Sequence, residues 1–509
     1  MTILMMIIAL LTFVTLAFFR ASVASWALAM LLAVFFIFVQ SRNSDDLLMM
    51  IGGAATLVFV VLLFPVLRRK LISTPLLNHF RRLLPDSLNI ESPNIRKDTW
   101  EQALFNGQPD WKAWLALPKA GLTSAEQSFL DQEVAQLCAL LVTGEELSPK
   151  AQAFLETNGF LRLGLSADEG GMGFSVQAQS AIVSKIVTIH RGVATMLMDE
   201  SELLRAAACV GQMKQAIAST YQHVQQAVPI GRERQLARMA AQGYLIDSAQ
   251  QITSLAQDQG AASHVMQAIM CYYASARARD AQHDAIDIQH EDAHLNTILV
   301  ASLPSQIRSG QIFAQGVLAA HVYAAKELSA AQHQNSYLAQ LKFDAAFREH
   351  VRFVLSHAAR SWVFGLTGGV GMMVPGGIQT TRYYQRLTRF SAAFALCTDA
   401  TLAVAGRTAK QHEALFARLG EVFGLLYLCA TTLKRFEDDN RPKEDLPKLE
   451  WAVQYALYQI QQTLLDLLQN MPNSLIRLML KGLVFPLGAR LTPPLDALGK
   501  KVLQSHCVE

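Results

Sequence analysis

The first 67 residues constrain this chain more than any other stretch, because they hold nearly uninterrupted Leu, Val, Ile, Met, Phe and Ala. The run is broken by Arg20 and by Ser41-Arg-Asn-Ser-Asp-Asp46. Three helices fit, over about residues 3–19, 22–40 and 47–67, each near the roughly 20 apolar residues that cross a bilayer. Ala21-Ser-Val-Ala-Ser25 is a small-residue patch of the kind that ends a signal peptide. No basic segment precedes it, and two more apolar stretches follow, so the pattern favours an anchor. Arg68-Arg-Lys70 and Arg81-Arg82 follow the last span and place the large remainder in the cytoplasm. Met1 then faces outward, unless the first two spans form a shallow hairpin.

The whole chain has 509 residues, enough for a large core beyond the anchor. A net charge of +3, without a basic stripe interleaved with aromatics, argues against nucleic acid. The six cysteines are scattered with no CxxC pair, which suits reduced thiols rather than a disulfide frame or a thiolate zinc site.

Residues 71–120 are irregular, with five prolines and the Trp100/Trp111/Trp114 set. Thr123-Ser-Ala-Glu126 reads as a capping box opening a helix to about Leu141. A second helix covers Pro149–Asn158 and stops at Gly159. The alternation after Gly159, ending in three glycines before Phe174, predicts an extended segment and a turn, then a helix Val176–Ile189. Residues 201–283 are helical apart from Pro229-Ile-Gly231, and 297–489 are helical around a glycine-rich break at 365–377 and a polar loop at 437–448. Strand signals are few, so the expected fold class is all-α.

These landmarks resemble the FadE-type bacterial acyl-CoA dehydrogenases. The resemblance rests on Asn78-His-Phe-Arg-Arg82, Trp100, Leu104-Phe-Asn-Gly-Gln-Pro-Asp-Trp-Lys112, Leu122–Asp131, Glu169-Gly-Gly, Phe174–Ser180 and Leu236-Ala-Arg-Met-Ala240. The C-terminal part matches most closely, through Thr381-Arg-Tyr-Tyr-Gln-Arg-Leu387, Arg418-Leu-Gly420, Leu433–Asp439, Asp466–Asn470 and Phe485-Pro-Leu-Gly488. The resemblance implies four regions: an anchor over 1–70, an N-terminal helical domain over 71–200, a remnant of the dehydrogenase bundle over 201–300 and a C-terminal helical domain over 301–509. It also implies FAD, acyl-CoA, β-oxidation and an oligomer.

The departures from the family pattern are concentrated at its chemistry. Family members carry a mixed β domain of about 100 residues between the N-terminal helices and the bundle. Here only about Arg191–Met213 lies there, and it reads as helix. Where the family sets an Arg-x-Gln-Phe group against the flavin diphosphate, this chain has Gln225, Gln226, Ala227 and Val228. A neutral amide cannot replace the charge-assisted bonds of an arginine. The family's Gly-Gly-x-Gly cofactor loop corresponds to glycine-free residues after Ile288, and its catalytic carboxylate falls near His294, ahead of Ile298-Leu-Val-Ala-Ser302. Glu291, the nearest substitute base, is three residues away and would point elsewhere on a helix.

The same stretch has an independent reading, because His290-Glu291-x-x-His294 has the spacing of a zinc hydrolase with Glu291 activating water. The flanking His283, Asp284 and Asp287 make it read instead as a solvated polar loop, with His321 and Glu327 undistinguished as third ligands. Gly365-x-x-Gly-Gly-x-Gly371 follows a helical rather than strand-like segment, so it predicts a helix connection and not a nucleotide loop. Tyr383-Tyr384 with Arg382, Arg386 and Arg389 can offer cations to a headgroup or to coenzyme A, or form a solvated arginine face.

The resulting expectation is a protein of the bacterial inner membrane with a cytoplasmic helical body, related to acyl-CoA dehydrogenases but catalytically degenerate. It would have no cofactor and no metal and would bind acyl-CoA, lipid, itself or an active dehydrogenase. The alternatives are an active FAD-dependent acyl-CoA dehydrogenase and, more distantly, a zinc hydrolase through His290 and His294.

Overall fold

The computed structural model describes residues 2–40, 57, 61, 64–83, 102–105, 108–141, 146–198, 201–224, 231–289, 326–327, 330–331, 333, 335–405 and 412–506. Among these the fold is entirely helical, as the periodicity predicts.

Two apolar helices open the chain, α1 (Thr2–Phe18) and α2 (Val23–Gln40). Their bounds follow the first two predicted spans. Both lack charged residues in their terminal turns, and Thr12 and Thr15 donate their hydroxyls back to Ile8 O and Leu11 O at 2.9 and 2.7 Å. That leaves no side-chain donor of theirs needing water. Phe13 meets Trp26 edge-on at 5.2 Å, so the two helices form a hairpin. Ile7, Ile8, Leu10, Leu11 and Phe13 remain exposed, and burial begins only in the last turn of α1, at Ala17. The predicted third span lies almost wholly outside the described residues. The chain is next helical over Pro65–Arg68, a π turn Arg69–Ser73 and α3 (Thr74–Leu83).

A small layer follows, built from α4 (Ser124–Asp131), α5 (Glu133–Leu140), α6 (Pro149–Thr157), α7 (Val176–Ile186) and α8 (Arg191–Met198). The capping box at Thr123/Glu126 is present, and Glu126 also accepts the Ser175 backbone N–H at 2.7 Å, joining the starts of α4 and α7. Two features differ from expectation. The first helix breaks at Gln132, whose backbone leaves ideal helical geometry (φ −106°, ψ −70°), so two short helices stand where one is predicted. The segment after Gly159 forms 3-10 turns at Phe160–Arg162 and Ala167–Glu169 rather than an extended strand. A second capping box, Ser166/Glu169, and left-handed Gly159 and Gly170 fold that loop back on itself.

The large core joins α9 (Glu202–His223), α10 (Glu233–Asp258) and α11 (His264–Gln289) to α13 (Thr381–Ala405), α14 (Glu413–Asp438), α15 (Leu446–Gln469), α16 (Ser474–Val484) and α17 (Asp496–His506). Helix α10 runs through its centre, buried on almost every side from Leu236 to Ala256. Some of its polar groups find partners inside: Thr253 meets the Tyr427 hydroxyl at 2.9 Å, and Gln250 donates to Leu203 O at 3.2 Å. Helices α13 and α14 are apolar enough to cross a bilayer, but 72% and 78% of those windows are buried inside the protein. Packing against the bundle explains their composition.

The long helix α12 (Ser336–Thr367) lies beside this core and holds the N-terminal hairpin. Arg352 donates to the carbonyls of Arg20 and Ala21 at 2.7 and 3.0 Å, and Ser356 and Arg360 donate to Phe18 O at 3.3 and 3.2 Å. These bonds satisfy carbonyls left open at the C-terminal end of α1. Phe18 packs edge-on against Phe364 at 5.6 Å. More than two turns earlier on α12, Asp344 takes a two-pronged ion pair from Arg68, with both contacts at 2.9 Å, and Ser73 adds a third bond at 2.7 Å. Burial works against the Asp344 carboxylate, but Arg68 and Ser73 hold it below the usual range.

Candidate functional site

The predicted cofactor positions Gln225, Gln226, Ala227 and Val228, and the stretch containing His290, Glu291 and His294, lie outside the described residues. What the structure places is the pair of helix ends from which they emerge. Gln289, the last residue of α11, donates its amide to Thr220 Oγ1 at 3.0 Å and to Ser219 Oγ at 3.4 Å, on the last turn of α9. The two family motifs therefore leave the bundle from one corner. Nothing in the sequence pattern alone revealed that meeting, because the residues involved are 69 and 70 positions apart.

This corner was expected to be solvated. His283 and Asp287 are exposed, but Asp284 is buried and forms an ion pair with Arg238 of α10. Arg238 Nε donates to Asp284 Oδ2 at 3.1 Å, and a second, shorter contact joins Nη2 to Oδ1. Burial still holds the Asp284 carboxyl above its usual range, against the pull of Arg238. The amide and hydroxyls of Gln289, Ser219 and Thr220 bind one another, and Arg238 is committed to Asp284. Those described groups do not fit the diphosphate of a dinucleotide, which needs cations or backbone N–H groups aimed at it.

A second cluster was not singled out from sequence. His350 of α12 places Nδ1 2.9 Å from Glu327 Oε1 and Nε2 3.2 Å from Asp399 Oδ1 of α13. Both carboxylates are buried. Burial opposes the charge, but the bonds from Asp399 and Glu327 raise the imidazole to about 9, so it is a cation at neutral pH. With both ring nitrogens donating, it has no lone pair for a metal. Glu327, one of the third-ligand candidates for zinc, is thereby occupied; His321 lies outside the described residues. Among the described residues, no group of three or more His, Cys, Asp and Glu side chains could hold a metal ion.

The glycine-rich break joins α12 to α13, as its helical flanks predict, with Gly368 left-handed at the C-cap of α12. Tyr383 and Tyr384 are buried in the core, and Trp111 packs edge-on against Tyr384 at 4.9 Å. The arginines beside them do not form a solvated face. Arg389 is 9% exposed, and Arg382 and Arg386 are half-buried. Their helix packs against α12, α14 and α16, which encloses the stripe.

Residues 318–507 match the family model described as acyl-CoA dehydrogenase, C-terminal, bacterial type. The C-terminal region of this chain belongs to that family. The helices α12–α17, with the arginine stripe and the His350 cluster, fall within the matched residues. Among solved structures, the chain is similar to an acyl-CoA dehydrogenase complexed with FAD from Bacillus anthracis, at 12% identity and a TM-score of 0.40. That match covers 62% of this chain and 56% of the other, so this chain spans little more than half of the relative's length.

Proposed function

We propose that this chain is a membrane-anchored member of the acyl-CoA dehydrogenase family, linked to fatty-acid β-oxidation, that does not perform the flavin chemistry. It acts by binding acyl-CoA, lipid or a partner enzyme. The observation that carries this reading is the direct succession of α7, α8 and α9. Helix α7 ends at Ile186, α8 spans Arg191–Met198 and α9 starts at Glu202. Val193, Ala194 and Met198 of α8 pack into the same core as Leu204 and Ala208 of α9. The family places its β domain between these helices, and that domain shares in enclosing flavin and acyl thioester. Here the interval is a packed helix.

Two further features support the reading. The sequence replaces the arginine of the flavin site by glutamine, and the corner from which those residues emerge is held by groups that bind each other. The α1–α2 hairpin, exposed and uncharged beyond its last turn, suits the apolar interior of the cytoplasmic membrane.

Flavin content decides the catalytic half. The full-length protein, extracted in detergent and purified without added flavin, should carry far less than one FAD per chain and lack absorbance near roughly 450 nm, the region where a flavin cofactor absorbs. Stoichiometric FAD, with dehydrogenation of a fatty acyl-CoA, would instead establish the active enzyme that the family match favours.

A further inference from the structure

Helix α16 (Ser474–Val484, SLIRLMLKGLV) carries two apolar faces, and only one is covered. Leu480 and Val484 are buried against α12 and α15, whereas Leu475, Leu478 and Met479 are 65%, 69% and 58% exposed. The exposed three follow the i, i+3, i+4 spacing of a single stripe. Arg477 and Lys481 are also exposed, and the helix contains no acidic residue. The connection between α12 and α13, which starts three residues past the contact of Gly365 with Val484, presents Val370, Met373 and Ile378, the last two fully exposed. Soluble surfaces rarely expose apolar groups of this size together.

The charged side chains of α16 and of the arginine stripe on α13 are all positive, while Glu437 lies by the α12–α13 connection, accepting from Thr380 at 3.1 Å. Arg382, Arg386 and Arg389 lie along one stripe of α13, and Arg490 follows α16. Arg382 donates to Gly368 O and Gln385 Oε1, both at 3.1 Å, and Arg389 donates to Val484 O at 3.4 Å. These bonds fasten the ends of α12 and α16 to α13, yet among the described residues none of the four arginines forms an ion pair with a carboxylate. Burial, followed by mutual repulsion, lowers Arg386 and Arg389. Such a group is stabilised by an incoming anion.

The position of the patch identifies the anion's source. Phe364 of α12 packs on Phe18 at the end of α1, and the adjacent Gly365 abuts Pro486 and Val484 at the end of α16. The apolar stripe of α16 begins only nine residues back from Val484, about 14 Å along a helix. The end of α16 and the end of α1 therefore meet the same turn of α12, at Gly365 and Phe364.

We propose that α16 and the α12–α13 connection rest on the anionic surface of the bilayer that holds α1 and α2. Leu475, Leu478, Met479, Met373 and Ile378 enter the acyl boundary, and the exposed Arg477, Lys481 and Arg490 supply the positive potential. This second contact rests on the anchored reading above. It fixes the orientation of the body on the membrane, which a flexible tether alone would leave free.

The test uses full-length protein reconstituted into phosphatidylcholine–phosphatidylglycerol vesicles in which the phosphatidylcholine is brominated near the headgroup. Leu478→Trp and Met373→Trp, both at exposed positions, should lose their added tryptophan emission in brominated vesicles. The loss should shrink when phosphatidylglycerol is replaced by phosphatidylcholine. Leu161→Trp, exposed on the small layer, should keep its emission. Alkaline carbonate extraction of the same vesicles reads the anchor separately. Protein that resists carbonate but shows no quenching at 478 or 373 overturns this proposal and leaves the anchor standing. Protein stripped by carbonate yet quenched while bound overturns the anchor and supports the patch.

Discussion

His350 joins α12, α13 and Glu327 through one ring, and its charge state is the condition for that joint. Glu327 and Asp399 both accept from the imidazole, so the deprotonated ring would leave one buried carboxylate facing a lone pair. Folding raises the group from 6.5 to about 9. The folded state therefore binds the proton more tightly, and the resulting stabilisation is fully present below about pH 6.5. It declines as pH rises toward 9 and is lost above it. Thermal unfolding of the full-length protein in detergent should show the wild type losing stability across this window. His350→Gln should start lower and lose less over the same range. A parallel pH slope in the two proteins would remove His350 from this role. The buried ion pair of Arg68 and Asp344 follows the same logic of partners distant in sequence, 276 positions apart. None of these pairings is legible in the sequence, because the partners lie 23 to 276 positions apart and no local pattern joins them.

At the scale of elements, local signals served well wherever the stabilising contact is itself local. The capping box at Thr123, the stop after Pro149–Thr157 and the glycine break at 365–377 are each visible within four residues of sequence. The 3-10 loop after Gly159 was misread as extended, because its apolar alternation fits a strand while its actual pairing runs between its own halves, as in Phe174 N–H to Leu163 O at 2.8 Å. Close helix crossings were equally hidden. A Cβ on Gly211 of α9 would lie 2.2 Å from Ser184 O and 2.7 Å from Val187 Cγ1, on the backbone and first branch of α7. A Cβ on Gly243 of α10 would meet the ends of two flexible side chains, Ile217 at 2.7 Å and Met213 at 4.0 Å. Gly211→Ala should therefore push α7 off α9 and cost about 1–3 kcal/mol, the usual range for overpacking, while Gly243→Ala costs less because Ile217 can turn aside. Equilibrium thermal or denaturant unfolding of both variants checks the order. An equal or reversed effect would mean that α7 and α9 can separate without loss.

For the whole molecule, the decisive relation is that α12 grips both the α1–α2 turn, through Arg352 and Arg360, and the segment preceding α3, through Asp344. The turn at residues 19–22 and the chain at Arg68 are thus on the same side as the body. If the body is cytoplasmic, the polar stretch at 41–46 lies outside only when α2 and the following apolar stretch both cross; it lies inside when the hairpin merely dips into the membrane from the cytoplasmic face. The two arrangements were left open by hydropathy, and clamping of the turn removes a third, in which the hairpin lies on the outer surface. On the anchored reading, Ser44→Cys expressed in intact bacterial cells should react with a membrane-impermeant maleimide, whereas Ser22→Cys should react only after the cells are opened. Protection of both positions in intact cells, with labelling of both after lysis, would replace the crossing arrangement with a shallow cytoplasmic hairpin. Labelling of Ser22→Cys from outside would separate the turn from α12 and overturn the docked hairpin itself.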